Sequence, residues 1–306
     1  MISSCKHNCK LTKVLILGSS GFAGRNIAEK ISENFCVVKT SRKRSFDNDT
    51  VYFDFFDSGS WINIINESPD VIINAAAYGV VKLQTDLDTM YKTNYFLACD
   101  LFDYLYSNGC NAYWLQLGTA FEYDLSAQHI NEESPCIPKT HYGISKLMMS
   151  NYLLSKAKQG TFSIFRPFGM FGKYEDDSKF FPFLINAQKT SSPIELSAGT
   201  QKRDYIYVGD LGRFINELLI KKEIRNIPSV LNIGRGEAIS FRAYASILQT
   251  MFPSFNATLW QWGKLNFRAG ESEMFYSASE KAAKLGFINS NLEESFKETV
   301  QYYLLK

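Results

Sequence analysis

Apolar residues in this 306-residue chain gather into short continuous runs separated by longer amphipathic stretches. The runs are KVLIL (13–17), FCVVKT (35–40), VYFDF (51–55), VIINAAA (71–77), AYWLQLG (112–118) and TFSIFRPFG (161–169). They are short enough for strands and more uniformly apolar than strands with one wet face, which alternate. Between them lie segments of helical character: RNIAEKIS after Gly24, SWINIINES before Pro69, a long stretch over about 86–108, and 140–158. Buried strands alternating with helices predict an α/β fold, a parallel sheet covered on both faces. Ligands of such sheets bind beyond the carboxyl ends of the strands, where Gly18, Asn74 and Thr119 fall.

After about residue 170 the alternation breaks. FGKYEDDSKFFPFLINAQKT opens a loop-and-helix region, followed by a turn-rich stretch and the helix LGRFINELLIK. VLNIG (230–234) reads as a strand returning to the sheet, and helices are expected near 240–251 and 279–285. No internal repeat or Pro-rich linker divides the chain. The pattern predicts two intertwined lobes: a doubly wound parallel sheet over 12–169 with return segments near 205–235, and a smaller C-terminal α/β lobe, mainly 170–306.

Composition removes several classes of function. Net charge is +2 and the 33 basic residues are spread along the chain, so no nucleic-acid footprint stands out. No apolar run approaches the roughly 18–20 residues needed to cross a bilayer. The N-terminal MISSCKHNCK lacks the apolar core of a secretion signal, and a cytoplasmic location with free thiols is expected. Cys5, His7 and Cys9 have no second ligand pair at metal-binding spacing, so no metal site is expected. Three histidines make a His-based triad a poor candidate.

The first run ends in Gly18-Ser-Ser20-Gly21-Phe22-Ala-Gly24 and a helix follows. Strand, glycine turn, helix is the context in which such a motif holds a dinucleotide. Gly18 permits the tight turn, Gly21 lets backbone N–H groups approach a pyrophosphate at the helix N-terminus, and Gly24 allows close packing. This makes the sheet a Rossmann sheet. The second run ends in Lys39-Thr40-Ser41-Arg42-Lys43, with no carboxylate to accept ribose hydroxyls. Arg42 and Lys43 form either a plain basic loop or a seat for a 2′-phosphate, which favours NADP(H), NAD remaining possible.

Four Tyr/Lys pairs stand one helical turn apart: Tyr78/Lys82, Tyr142/Lys146, Tyr152/Lys156 and Tyr302/Lys306. Spacing alone does not choose among them. Chain order does, through a resemblance that runs from about 12 to 300. The glycine motif, Asn74-Ala75-Ala76-Ala, Asn94, Leu-Gly-Thr119, Tyr142-Gly-Ile-Ser-Lys146, Phe165-Arg166-Pro167, Gln201-x-Arg203-Asp204 and Asn232-Ile-Gly234 follow in the order of the extended short-chain dehydrogenase/reductases. These are the nucleotide-sugar epimerases, dehydratases and ketoreductases. The ending FRAGESEMFYSASEKAAKLGF (267–287) resembles that of CDP-abequose synthase and similar 4-ketoreductases of deoxysugar biosynthesis.

The resemblance implies roles. Thr119, Tyr142 and Lys146 are the catalytic set: a tyrosine acid, an ammonium beside it, and a hydroxyl on the reacting oxygen. Ser20, Phe22, Ser41, Asp54, Asn74, Ala75, Ala76 and Asn94 join the glycines, Arg42, Lys43, Tyr142 and Lys146 around the cofactor. Tyr78, Lys179, Arg203 and Arg268 join Thr119 around the substrate. Arg203 and Arg268 match diphosphate clamps, with surface salt bridges the alternative. The family's dehydratases carry Asp-Glu after the threonine; here Ala120 and Phe121 stand there and cannot move protons. The activity implied is NADPH-dependent reduction of the 4-keto group of a nucleoside-diphosphate 4-keto-6-deoxyhexose, for surface polysaccharide, in a homodimer. The alternatives are a 4-epimerase with tightly bound NAD and a non-catalytic dinucleotide-binding protein.

Overall fold

The computed structural model describes residues 12–43, 47–156, 158, 160–266 and 272–306. In chain order the strands of the first part are β1 (Lys13–Leu17), β2 (Cys36–Ser41), β3 (Thr50–Tyr52), β4 (Val71–Asn74), β5 (Tyr113–Leu117), β6 (His129–Ile130) and β7 (Phe162–Pro167). Then come β8 (Gly169–Phe171), β9 (Ile194–Glu195), β10 (Lys202–Arg203), β11 (Tyr205–Tyr207), β12 (Val230–Ile233), β13 (Ile239–Ser240), β14 (Trp260–Gln261) and β15 (Met274–Ser277). The helices are α1 (Phe22–Ile31), α2 (Ile62–Glu67), α3 (Leu87–Tyr91), α4 (Leu97–Ser107) and α5 (His141–Lys156). They continue with α6 (Phe180–Thr190), α7 (Val208–Ile220), α8 (Phe241–Gln249), α9 (Lys281–Lys284) and α10 (Leu292–Leu305).

Seven strands form one parallel sheet in the order β12-β7-β5-β4-β1-β2-β3. Its central strands β1, β4, β5 and β7 are mostly apolar because both faces are covered. Val14 and Ile16 of β1 pack with Ile27 of α1 and Phe214 of α7, while Leu15 and Leu17 pack on the other face with Leu101 of α4 and Met149 of α5. All four β1 side chains are fully buried, each contributing about 1.5–3 kcal/mol. The third run is shorter than its apolar pattern suggests. The chain leaves the sheet after Tyr52, and Phe53 and Phe55 turn into the core in edge-to-face contact, 4.9 Å between ring centres.

The second half of the chain is interleaved with the first. β12 returns to pair with β7, and α7 lies against α1 so closely that a Cβ on Gly212 would sit 3.1 Å from the Asn26 carbonyl. In the other direction, β6 leaves the first half to complete the smaller sheet β13-β10-β15-β6. This lobe has an aromatic core of Phe171, Phe181, Tyr244 and Phe296. Asp204 ties its segments together by accepting the backbone N–H groups of Arg235, Gly236 and Ser277.

One long helix, α10, was absent from the periodicity reading. Its signals are present nonetheless: Asn291 caps the N–H groups of Glu293 and Glu294, and Phe296, Val300 and Tyr303 recur on one buried face. Tyr302, beside Tyr303, blurs the contrast with the polar face. Among the described residues no helix is long and apolar enough to cross a membrane, and no cluster of metal-ligating side chains forms. Cys5, His7 and Cys9 lie outside the described residues.

Candidate active site

The turn after β1 is built by close backbone approach. Gly18 has φ +73°, and a Cβ there would lie 2.7 Å from Ala76 Cα. A Cβ on Gly24 would lie 2.3 Å from the Gly18 carbonyl oxygen, so this glycine packs α1 onto the turn itself. Gly21 is the N-cap of α1 and no side chain caps the helix, whose first N–H groups therefore stay available to a ligand. Ser19, buried and overlooked in the sequence, donates its hydroxyl to the Thr40 carbonyl and accepts the Thr40 N–H. That bridge fixes the glycine turn relative to the end of β2.

Both strand ends open into a cleft of about 800 Å³. Gly18, Ser20 and Gly21 line one part of it; Ser41, Arg42, Lys43 and Asp54 another; Ala75, Ala76 and Tyr78 a third. Ser41 Oγ accepts the Lys43 N–H, which shapes the basic turn. A cradle from which Cβ atoms are excluded and an uncapped helix N-terminus together suit the pyrophosphate of a dinucleotide. Phe22 and Gly24, in the first turn of α1, shape this end without lining the cleft.

Two of the asparagines expected at the cofactor face protein groups. Asn74 is buried, donates to Gln116 and accepts the Ala76 N–H, so it stands behind the turn that Ala75 and Ala76 present. Asn94 is also buried and lies in a π-helical turn (Lys92–Phe96) between α3 and α4. Its amide accepts the Tyr78 N–H and donates to the Tyr78 carbonyl and to Ser145 Oγ of α5. It couples the cleft wall to the helix that carries Tyr142, and π-turns are frequent at such positions.

Thr119 follows β5 and α5 carries Tyr142 and Lys146. The two elements touch because Gly143 has no side chain: a Cβ there would lie 2.2 Å from the Phe121 carbonyl oxygen. Tyr142 is partly exposed, whereas Thr119 and Lys146 are buried. Burial pushes the Lys146 ammonium down to about 8, against the opposing pull of the Glu122 carboxylate. Burial raises the Tyr142 phenol above its usual value, and Glu122 raises it further. The Tyr142 phenol therefore keeps its proton at neutral pH, on the same face of α5 as Lys146.

Glu122 escaped the sequence reading, although Thr119-x-x-Glu122 directly after an apolar strand is the pattern of a capping box. The box forms: Thr119 Oγ1 accepts the Phe121 N–H and Glu122 Oε1 accepts the Thr119 N–H at 2.9 Å. Glu122 Oε2 accepts Ser150 Oγ at 2.7 Å and Arg166 Nε at 2.8 Å. Arg166 in turn lies over the Tyr123 ring, 4.6 Å from its centre.

The other Tyr/Lys pairs lie elsewhere. Tyr152 and Lys156 join Asp103 on the outer side of α5. Tyr302 packs edge-to-face on Tyr174 and Lys306 pairs with Asp177. Tyr78 lines the cleft and Lys82 is exposed in the loop beyond it. Of the expected substrate residues, Lys179 stands at the N-terminal boundary of α6 without capping it by its side chain, which donates across the lobes to the Val80 carbonyl. Arg203 is buried over the Phe275 ring at 4.8 Å, and Phe275 meets Phe121, two residues after Thr119. Arg268 lies outside the described residues.

Residues 14–234 match the NAD dependent epimerase/dehydratase family, and the chain belongs to it. Among curated relatives, dTDP-4-dehydro-6-deoxyglucose reductase of Escherichia coli is 25% identical over 75% of this chain and 78% of its own. CDP-abequose synthase of Salmonella typhimurium is 23% identical over 89% of this chain and 91% of its own. Among solved structures, UDP-glucuronic acid 4-epimerase of Bacillus cereus, in complex with UDP-glucuronic acid and NAD, superposes with a TM-score of 0.81 at 20% identity. It covers 95% of this chain and 99% of that one. This last likeness is one of fold.

Proposed function

We propose that this enzyme reduces the 4-keto group of a nucleoside-diphosphate 4-keto-6-deoxyhexose with NADPH. The basic end of β2 carries this reading, and the position after Thr119 narrows it: the buried Ala120 and the half-exposed Phe121 offer no acid–base pair, which disfavours dehydration. The basic rim of Arg42 and Lys43 on the cleft, with no carboxylate at the end of β2, supports NADPH over NAD. The relatives named for 4-keto-deoxysugar reduction support the substrate class.

NADPH, when bound, supplies the hydride that C4 gains. Gly18, Gly21 and the α1 N-terminus hold its pyrophosphate, Arg42 and Lys43 its 2′-phosphate, and Asp54 its adenine end. Tyr142 donates its phenolic proton to the C4 oxygen, and Lys146 stabilises the phenolate left behind until solvent restores the proton. Thr119 Oγ1 hydrogen-bonds the same oxygen and orients it. Arg203, with Arg268, faces the substrate's diphosphate, and Lys179 and Tyr78 border the sugar. Cofactor binding falls to the first lobe and substrate binding mainly to residues 170–306. The product is an activated deoxysugar of the kind built into surface polysaccharide, formed in the cytoplasm. The resemblance extends the proposal to a homodimer joined through the helices near 88–108 and 140–158.

The test is NADPH oxidation with 4-keto-6-deoxyglucose carried on dTDP, CDP, GDP or UDP. Turnover with at least one, faster with NADPH than NADH, is the expected result. Purified protein that holds NAD and interconverts 4-epimers without added cofactor would overturn it in favour of epimerisation.

A further inference from the structure

Beneath the reacting set lies a carboxylate that the proposed reaction does not itself consume. Glu122 is fully buried, and both its oxygens are engaged by groups from three different elements. Oε1 holds the Thr119 backbone at the end of β5. Oε2 holds Ser150, one helical turn beyond Lys146 and on the face of α5 that carries Tyr142 and Lys146. The same oxygen holds Arg166 of β7. Gly118 makes room for this arrangement, because a Cβ there would lie 2.4 Å from Oε1.

A tight turn needs only the Thr119 cap. A buried ion pair adds little net stability over an apolar pair of the same volume, because desolvation offsets the attraction. Its value lies in what the charge and the geometry do to neighbours. We propose that Glu122 is a positioning residue of the reaction, fixing Thr119 against the face of α5 that carries Tyr142, Lys146 and Ser150. This rests on the reading of Thr119, Tyr142 and Lys146 as the reacting set.

The surrounding groups are few. Arg166 comes from β7, Tyr123 from the same turn, and Cys136 from the loop before α5. Asp103, Tyr152 and Lys156 lie on the far side of α5, and Tyr91 pairs with His141 at its start. Among the described residues Glu122 is the charge that bears on both Lys146 and Tyr142, and it raises both. Removing it therefore moves both titrations the same way, to lower pH.

Glu122→Gln keeps the shape and an acceptor oxygen but not the charge. With NADPH and whichever 4-keto-6-deoxyglucose nucleotide turns over fastest, kcat is expected to fall about tenfold or more. KM for NADPH is expected to stay within about twofold, and the basic limb of the kcat profile to move about one pH unit lower. Glu122→Asp keeps the charge and shortens the reach; it is expected to lower kcat while leaving the limb in place. If Glu122→Gln does not fold because Arg166 lacks a counter-charge, Glu122→Gln/Arg166→Gln leaves no unpaired charge and reads the same limb. Independently of any sugar substrate, the Lys146 titration followed by its 13Cε shift, assigned with Lys146→Arg, is expected to have a lower midpoint in the Gln variant. A basic limb and a Lys146 midpoint that superpose on the parent protein overturn the proposal. Full activity in Tyr142→Phe instead overturns the reading of the site, and the Lys146 midpoint still tests Glu122.

Discussion

Two turns lie at the carboxyl ends of strands in the same sheet, after β1 and after β5, and they are built in opposite ways. The first is made of glycines and backbone, with φ +73° at Gly18 and an α1 N-terminus that no side chain caps. The second is made of side chains: Thr119 and Glu122 cap one another, and Arg166 and Ser150 close the remaining valences. The first leaves donors open and suits a ligand that brings its own negative charge. The second leaves almost nothing open and suits a geometry that must not change between ligand-free and reacting states. Damage to the open turn should therefore appear in cofactor affinity, and damage around the closed turn in kcat.

The sharpest break of that division is Tyr142→Phe. Loss of the proposed proton donor is expected to lower kcat by about 100-fold or more while the NADPH dissociation constant holds. A drop in affinity of the same size would show that the two turns are not separable. Next in size is Gly24→Ala, whose new Cβ would meet the Gly18 carbonyl at 2.3 Å. Overpacking of this kind costs about 1–3 kcal/mol, so thermal unfolding should come several degrees earlier and NADPH should bind more weakly. An unchanged unfolding temperature would mean that the open turn can relax.

Arg42→Ala tests what the open turn recognises. Losing one charge-assisted contact to a phosphate is expected to weaken NADPH about tenfold, leave NADH unchanged, and lose its effect at high salt. Equal weakening of both cofactors would remove the 2′-phosphate from the argument. The smallest effect is expected from Tyr152→Phe, on the outer side of α5. It should shift stability by no more than about 0.5 kcal/mol and leave kcat alone, which separates this pair from its twin at Tyr142.

The parallel sheet was legible because its evidence is local: runs of three or four consecutive apolar residues set between helical stretches, the first run closed by a glycine turn. Tyr142 was legible for another reason, its place in the chain after Thr119. Asn74 and Asn94 show the limit of such placement. Their positions follow from motif order, yet the structure turns their amides inward to Gln116, Tyr78 and Ser145. α10 was obscured because Tyr302, next to the buried Tyr303, weakens the contrast between its faces. Glu122 carried a local signal, the capping box, but nothing local said that its second oxygen meets α5 and β7.

What the sequence by itself determined is the set of short-range choices: which runs become buried strands, where glycine must stand, and which tyrosine follows the fifth strand. Periodicity and backbone sterics act over a few residues and can be read there. Only the tertiary structure decided that Arg42, Asp54 and Tyr78 share one cleft. It also decided that Glu122 gathers Ser150 from 28 residues away and Arg166 from 44. Those meetings depend on how the sheet orders its strands and on Gly143 letting α5 touch the turn at Phe121, and a buried charge finds its partners only once the fold has excluded water.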